Sequence, residues 1–493
     1  MEPSWLETRG ARPLYLAFVF GLALGLLQVI KLYLRRQRLL RDLRPFPAPP
    51  AHWFHGHQKL LQEDKMEKLE EIVEKYPCAF PCWVGPFQAF FFIYDPDYAQ
   101  TLLNRTGKGL LNLDGPKWFQ HRRLVTPGLQ CDILKTYVEV MTHSVNTMLA
   151  KWEEICGTQD TTVEVYEHIS LMALDIIMHC AFSQETNCQI SGIYGPYLKA
   201  TSELSKIIFY RLYNFWHHHD LIFKFSPMGR RFQELSQVLH QYTEKVIQDR
   251  KKSLKSEMKQ DTTQKKCQDL LDIILAAQAE SEGSFSDADL QSEVSTFMLA
   301  GHDASAASLS WLLYCLALHP EHQERCREEI RSTLVEGSSI HWDQLNEMSY
   351  TTMCIKEVFR LIPPVPSISR ELSKPLTFPD GRSLPAGMNV VLSIRGLHHN
   401  PAVWSSPQVF DPLRFTKENS DRRHPYAFLT FSAGPRSCIG QQFAMVELKV
   451  AIALILLRFR VSPDLTRPLA FSNQIVLTPK DGMHLHLEKL SGC

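Results

Sequence analysis

The chain has 493 residues, 44% of them hydrophobic, and its 53 Lys+Arg balance 53 Asp+Glu for a net charge of zero. That length suits one large domain or two to three smaller ones, and neutrality without a basic, aromatic-interleaved stripe excludes nucleic-acid binding. The 12 cysteines form no CxxC pair and no dense framework, which fits free thiols in a reducing compartment.

The first element is apolar. Residues 13–34, PLYLAFVFGLALGLLQVIKLYL, contain one Gln and one Lys, and RRQRLLRDLR follows at once. The uninterrupted apolar run 14–27 is long for a signal-peptide core, and with its flanks it nearly reaches a membrane span. No small-residue cleavage site follows it. Residues 13–34 therefore read as a transmembrane anchor. The cationic flank is C-terminal, so the positive-inside rule leaves the remaining chain in the cytosol. An NRT sequon at 104–106 would go unused there. Residues 35–50 read as a basic, proline-rich linker, the closely spaced prolines of RPFPAPPAHWFHGH (44–57) make a semi-rigid spacer, and residues 51–493 read as the globular body.

In that body, residues 65–76 have helical apolar spacing. CWVGPFQAFFFIY then reads as a hairpin about a Gly-Pro turn. Most segments from about 97 to 330 are helical in pattern. Residues 232–256 form a charged, solvated helix, KSEMKQDTTQKKCQ a linker, and 376–394 a second β region with turns in FPDGRSLPAG. The expected fold class is mainly α with minor β, in a single large domain behind the anchor.

One helix stands out. Ser286 and Asp289 make a capping box, and no proline follows until Pro320. That permits about 32 residues, roughly 48 Å. AGHDASAAS (300–308) lies in its apolar middle. Gly301 costs helix stability, and His302 and Asp303 are costly to bury. The combination predicts either a local distortion beside a ligand or a satisfied core polar pair.

The second notable stretch is FSAGPRSCIG (431–440). Gly434 and Gly440 permit close backbone approach around Cys438. The helical pattern after Cys438 directs N–H groups and a positive dipole end at the sulfur, which favours a thiolate. Arg436 can neutralise a nearby anion. Such a thiolate suits a protease nucleophile, which needs a paired histidine, or a metal; a single axial bond to haem iron needs only this cysteine. KEVFR places Glu357 and Arg360 at i,i+3 on one helix face. DPLRF adds Arg414. WFQHR places Trp118 and Arg122 at i,i+4, a donor pair suited to a carboxylate. HHH at 217–219 reads as an interfacial or surface cluster rather than a metal site.

Taken together, FxxGxRxCxG, ExxR followed by PxRF, AGxD on a long helix and WxxxR near the start resemble the cytochrome P450 set. The resemblance runs from the anchor nearly to the C-terminus. PYAFLTFSAGPRSCIGQQFA, TFPDGRSLPAG and LHHNPAVW look like family 4, the fatty-acid-oxidising group, and the N-terminal half looks most like its subfamily X. The resemblance implies the cytochrome P450 fold and haem b (iron protoporphyrin IX) on Cys438. It implies propionate contacts from Trp118, Arg122, Arg370 and Arg436, with Ala300, Phe431, Gly434 and Gly440 also lining the cofactor. Glu357, Arg360 and Arg414 would form a structural charge network. Asp303 with Ser305 would relay protons. The implied reaction is insertion of one oxygen atom into fatty acids or arachidonate-like lipids. Electrons would come from NADPH through cytochrome P450 reductase, with cytochrome b5 as a further partner, and Arg422, Arg423 and Lys449 could dock an acidic reductase surface. The implied location is the endoplasmic reticulum membrane, single-pass, with the catalytic domain cytosolic.

The sequence departs from the pattern at three places. Ala304 stands where most of the family has threonine, and Ser305 lies about 100° further around the helix. Ala300 stands where many family-4 enzymes have an ester-forming glutamate, so haem is expected to be non-covalent. Related proteins carry roughly fifteen more residues between Thr106 and Gly107. A haem-binding but catalytically impaired form is therefore the alternative reading.

Overall fold

The computed structural model describes residues 5–58, 66–104, 108–109, 115–129, 131–157, 161–259, 269–280, 285–334, 340–467, 469–472 and 474–490. The junction of Thr106 and Gly107, and most of the linker expected at 255–268, lie outside them.

The anchor is one helix, Trp5–Leu43, whose apolar stretch has mean hydropathy 2.0 and is wholly exposed. It continues past residue 34 through the basic residues and stops before Pro45, because the residue preceding a proline is pushed out of helical geometry. Residues 35–43 of the expected linker are therefore helical, and the proline-rich stretch follows the helix end. Its end is packed, with Leu43 and Phe46 both buried and the Phe46 ring edge-on to Phe91 at 4.5 Å.

Phe91 belongs to a five-stranded sheet. Ala79–Val84 and Gln88–Ile93 form the expected hairpin, turned by Gly85 at φ +69. Gln88–Ile93 then pairs in parallel with Asn389–Ser393. Ser367–Glu371 and Lys108–Gly109 complete the sheet. A second sheet joins Thr161–Glu164, His484–Lys489 and Phe459–Pro463, and the sequence reading did not anticipate it.

The helical body is built around Asp287–Leu318. Its Ser286–Asp289 capping box is present in both directions, and it ends at His319, before Pro320. Residues 287–318 are α-helical throughout, so the distortion expected near Gly301 is absent. Gly301 is needed for packing instead. A Cβ there would stand 2.5 Å from Ile177 Cγ1, on the crossing helix Val165–Phe182. His302 is a satisfied core histidine. It is buried, its Nδ1 bonds the Met298 carbonyl at 2.7 Å, and burial lowers its pKa to about 4.

Candidate active site

The Cys438 loop is closed by its own backbone. The Ser432 N–H donates to Leu429 O and the Cys438 N–H to Phe431 O, each at 2.8 Å. Ser432 and Gly434 take positive φ, +60 and +74. A Cβ on Gly434 would meet Leu103 O at 2.5 Å, so this position requires glycine sterically as well as conformationally. Gly440 caps the helix Gln441–Arg458, and its N–H bonds the Cys438 sulfur. A Cβ on Gly440 would find nothing nearer than that sulfur, at 4.0 Å, so the space beside the sulfur is open.

Burial raises the Cys438 thiol, while the Gly440 N–H and Arg122 lower it without overcoming burial. The nest alone does not make a thiolate. Cys438 is nonetheless exposed, and so is Ala300 in the middle of the core helix. Both interior positions open onto accessible space.

Cations gather around the sulfur. Trp118 and Arg122 lie on the helix Gly115–Val125. Burial lowers the Arg122 pKa, and the charge of Cys438 opposes this. The Arg436 guanidinium lies 4.2 Å from the Trp118 ring centroid. Arg370 is buried; its pKa is lowered by burial and then by Arg436. Among the described residues neither Arg122 nor Arg370 has a carboxylate partner. Such a cluster beside an open thiol fits a flat metal-bearing group with two carboxylates, which would supply the missing anions. Two pairs hold the helix in place: Lys117 Nζ to Asp289 Oδ1 at 2.6 Å and His121 Nδ1 to Glu293 Oε1 at 2.8 Å. The sequence reading missed both, although each side shows i,i+4 spacing.

The Glu357–Arg360 pair behind the loop is fully bonded, while the buried Arg414 Nε makes no hydrogen bond. Glu357 and Arg360 are both wholly buried. Arg360 Nε and Nη2 donate to the two Glu357 oxygens, each at 2.8 Å. Its other donors reach the carbonyls of His398, Pro407 and Val409. Arg414 Nε lies 3.5 Å from Glu357 Oε1. His398, which the sequence reading also missed, connects this network to the loop: its Nε2 accepts the Leu429 N–H at 2.9 Å. Burial and Arg360 hold the His398 ring neutral, far below the usual imidazole range. Phe431 packs edge-on against Phe359 at 5.5 Å.

The two expected relay residues diverge. Asp303 is raised to about 7 by burial and receives a hydrogen bond from Tyr166. Ser305 is buried, and its hydroxyl donates to Glu447 Oε2 at 2.6 Å. It therefore points into the seam with the helix Gln441–Arg458 and not to the Ala300 face, as its 100° offset from Ala304 requires. Of the three proposed docking cations, Arg423 lies 4.1 Å from the Trp404 ring centroid and Lys449 donates to Leu345 O; Arg422 stays exposed. His218 bonds Gln88 and the Leu212 carbonyl, and no cluster of three metal-ligating side chains occurs among the described residues.

The cytochrome P450 family model matches residues 46–486. The chain is 72% identical to cytochrome P450 4X1 of Mus musculus over 508 residues, with all of both chains covered. It is 71% identical to cytochrome P450 4X1 of Homo sapiens over 509 residues, again with both covered fully. Identity to cytochrome P450 4A10 of Mus musculus is 48%, covering 97% of this chain and 96% of the relative. Across their full length, these alignments and the site geometry agree: the chain belongs to the cytochrome P450 family, within its family 4, and is a haem monooxygenase.

Proposed function

We propose that the chain oxidises fatty acids or fatty-acid-derived lipids, by hydroxylation or epoxidation, and that the Cys438 sulfur would hold the iron of non-covalent haem b. The observation that carries the site assignment is the Arg122–Arg370–Arg436 cluster beside Cys438, which has space next to the sulfur. When bound, haem supplies dioxygen activation and insertion of one oxygen atom.

The chain's own residues have distinct tasks. Arg122, Arg370 and Arg436 would hold the two carboxylates of the cofactor, and the Trp118 ring supports Arg436. The Gly440 N–H stabilises negative charge on the sulfur against the cost of desolvation, and a bound metal ion would favour the thiolate further. Ala300 offers no carboxylate for an ester. Asp303 holds a proton near neutral pH in the long helix. Ser305 ties that helix to Glu447 and serves position rather than relay. The buried Glu357–Arg360 pair and the arginine cluster give the impaired reading no support.

The exposed apolar helix and the arginines that follow it support single-pass anchoring in the endoplasmic reticulum membrane, with the haem domain cytosolic. NADPH–cytochrome P450 reductase is the proposed electron donor, with cytochrome b5 as accessory. The test is the carbon-monoxide spectrum of the reduced protein, followed by NADPH-dependent turnover of arachidonate with reductase. The expected results are a thiolate-type Soret band, lost in Cys438→Ala, and an oxygenated lipid. A Cys438→Ala variant that keeps the band sinks the ligand assignment. A normal band without lipid product sinks the substrate class.

A further inference from the structure

The anchor helix meets the body at a second site, remote from Cys438. A groove of about 510 Å³ is lined on one side by Arg41, Asp42 and Pro45 and on the other by Gly381, Arg382 and Ser383. Arg41 is exposed and Asp42 half-buried, and among the described residues neither side chain has an ion-pair or hydrogen-bond partner. Arg382 is held rigidly. It pairs with Asp380 at 2.6 Å and lies near the Phe46 and Tyr98 rings, at 4.9 and 5.7 Å. The groove therefore presents one held cation, Arg382, whose charge Asp380 shares, facing the unpartnered Arg41 and Asp42.

Its depth is set by the helix. Arg41 lies seven residues beyond Leu34, where the apolar run ends, on an unbroken helix. At 1.5 Å per residue that is about 10 Å. The headgroup layer extends roughly 5–8 Å beyond the hydrocarbon on each side. Side chains on a helix lean toward its N-terminus, here toward the membrane, so the Arg41 guanidinium falls within that layer.

We propose that this groove binds the headgroup of a bilayer aminophospholipid, phosphatidylethanolamine or phosphatidylserine, with its phosphate on Arg41 and Arg382 and its primary ammonium on Asp42. Phosphatidylcholine has no N–H to donate to Asp42. Phosphatidic acid has no cation and would leave Asp42 unpaired beside a phosphate. This inference rests on the membrane-anchoring reading above. A bound headgroup would clamp the angle between anchor and body, because Leu43 and Phe46 leave little slack between them.

The experiment uses the full haem-loaded chain in nanodiscs of phosphatidylcholine with a small fraction of one second lipid. That lipid is phosphatidylethanolamine, phosphatidylserine or phosphatidic acid. Lipids retained through stepwise delipidation are counted by native mass spectrometry. The expected result is about fivefold enrichment of the two aminophospholipids over phosphatidylcholine, the upper yield of one surface ammonium–carboxylate contact, since all of these lipids share the phosphate. Arg41→Gln should lower the number of retained lipids of every class, since each carries a phosphate. Asp42→Asn should return both aminophospholipids to the bulk ratio and raise phosphatidic acid. Arg44→Gln, outside the groove, should change nothing. Both groove substitutions are at the surface, and an unchanged haem spectrum confirms the fold. Bulk-ratio retention by the wild-type chain, or equal loss in Arg44→Gln, overturns the proposal. So does binding of soluble phosphoethanolamine without lipid enrichment. A chain that does not insert into the discs at all refutes the anchoring reading instead.

Discussion

Glu357→Gln is the most direct test of the buried network. The substitution keeps shape and removes one charge. In the native protein Arg360 uses all its N–H groups: Nε and one Nη2 hydrogen on Glu357, the others on His398, Pro407 and Val409 carbonyls. Glu357 also accepts the Asp411 N–H at 2.9 Å. A glutamine sets an NH2 group against an arginine donor and leaves a buried cation uncompensated. Removing one partner of a buried pair costs about 3–5 kcal/mol, a large part of a typical stability of roughly 5–15 kcal/mol. The loss should propagate through His398 to Leu429 and loosen the Cys438 loop. Urea unfolding followed by circular dichroism, together with haem content per chain, reads both effects. The double variant Glu357→Leu, Arg360→Met should be no less stable than Glu357→Gln alone, since the wholly buried Arg360 cation is gone and only the less buried Arg414 loses a partner. A Glu357→Gln protein with full haem content and stability within about 0.5 kcal/mol of wild type would refute the reasoning.

Other perturbations probe other parts. Gly301→Ala overpacks the helix crossing and should cost about 1–3 kcal/mol; pairing it with Ile177→Ala should cost less than the sum, and strict additivity in urea titrations would contradict the packing account. Glu447 is buried and raised to about 8 by desolvation, so the folded chain holds a proton that the unfolded chain releases near pH 4.5. Its contribution is present at low pH and lost as pH rises toward 8; Glu447→Gln should therefore gain on wild type between pH 5 and 8, by roughly 3–5 kcal/mol at most, and parallel stability profiles would exclude this. Arg122→Gln and Arg370→Gln should each speed haem transfer to apomyoglobin by about tenfold, the yield of one charged hydrogen bond, and unchanged transfer rates would remove them from the cofactor site.

Local chemistry was legible in the sequence. The Ser286–Asp289 cap and Pro320 bounded the long helix, the Gly-Pro turn marked the hairpin, and Glu357 and Arg360 at i,i+3 announced their own pairing. Each involves partners a few residues apart, where backbone geometry alone brings them together. The Cys438 loop was legible for the same reason. Tertiary structure decided the rest. Ser305 meets Glu447 across 142 positions, and His121 meets Glu293 across 172. Thr161–Glu164 finds its partner strand near the C-terminus, and Gly301 serves Ile177 rather than a distortion. Sequence gives the angle between two residues on one helix but not the rotation of that helix against its neighbours. That rotation is chosen by how whole apolar faces interlock, and it alone determines whether a buried serine faces a cofactor or a carboxyl group.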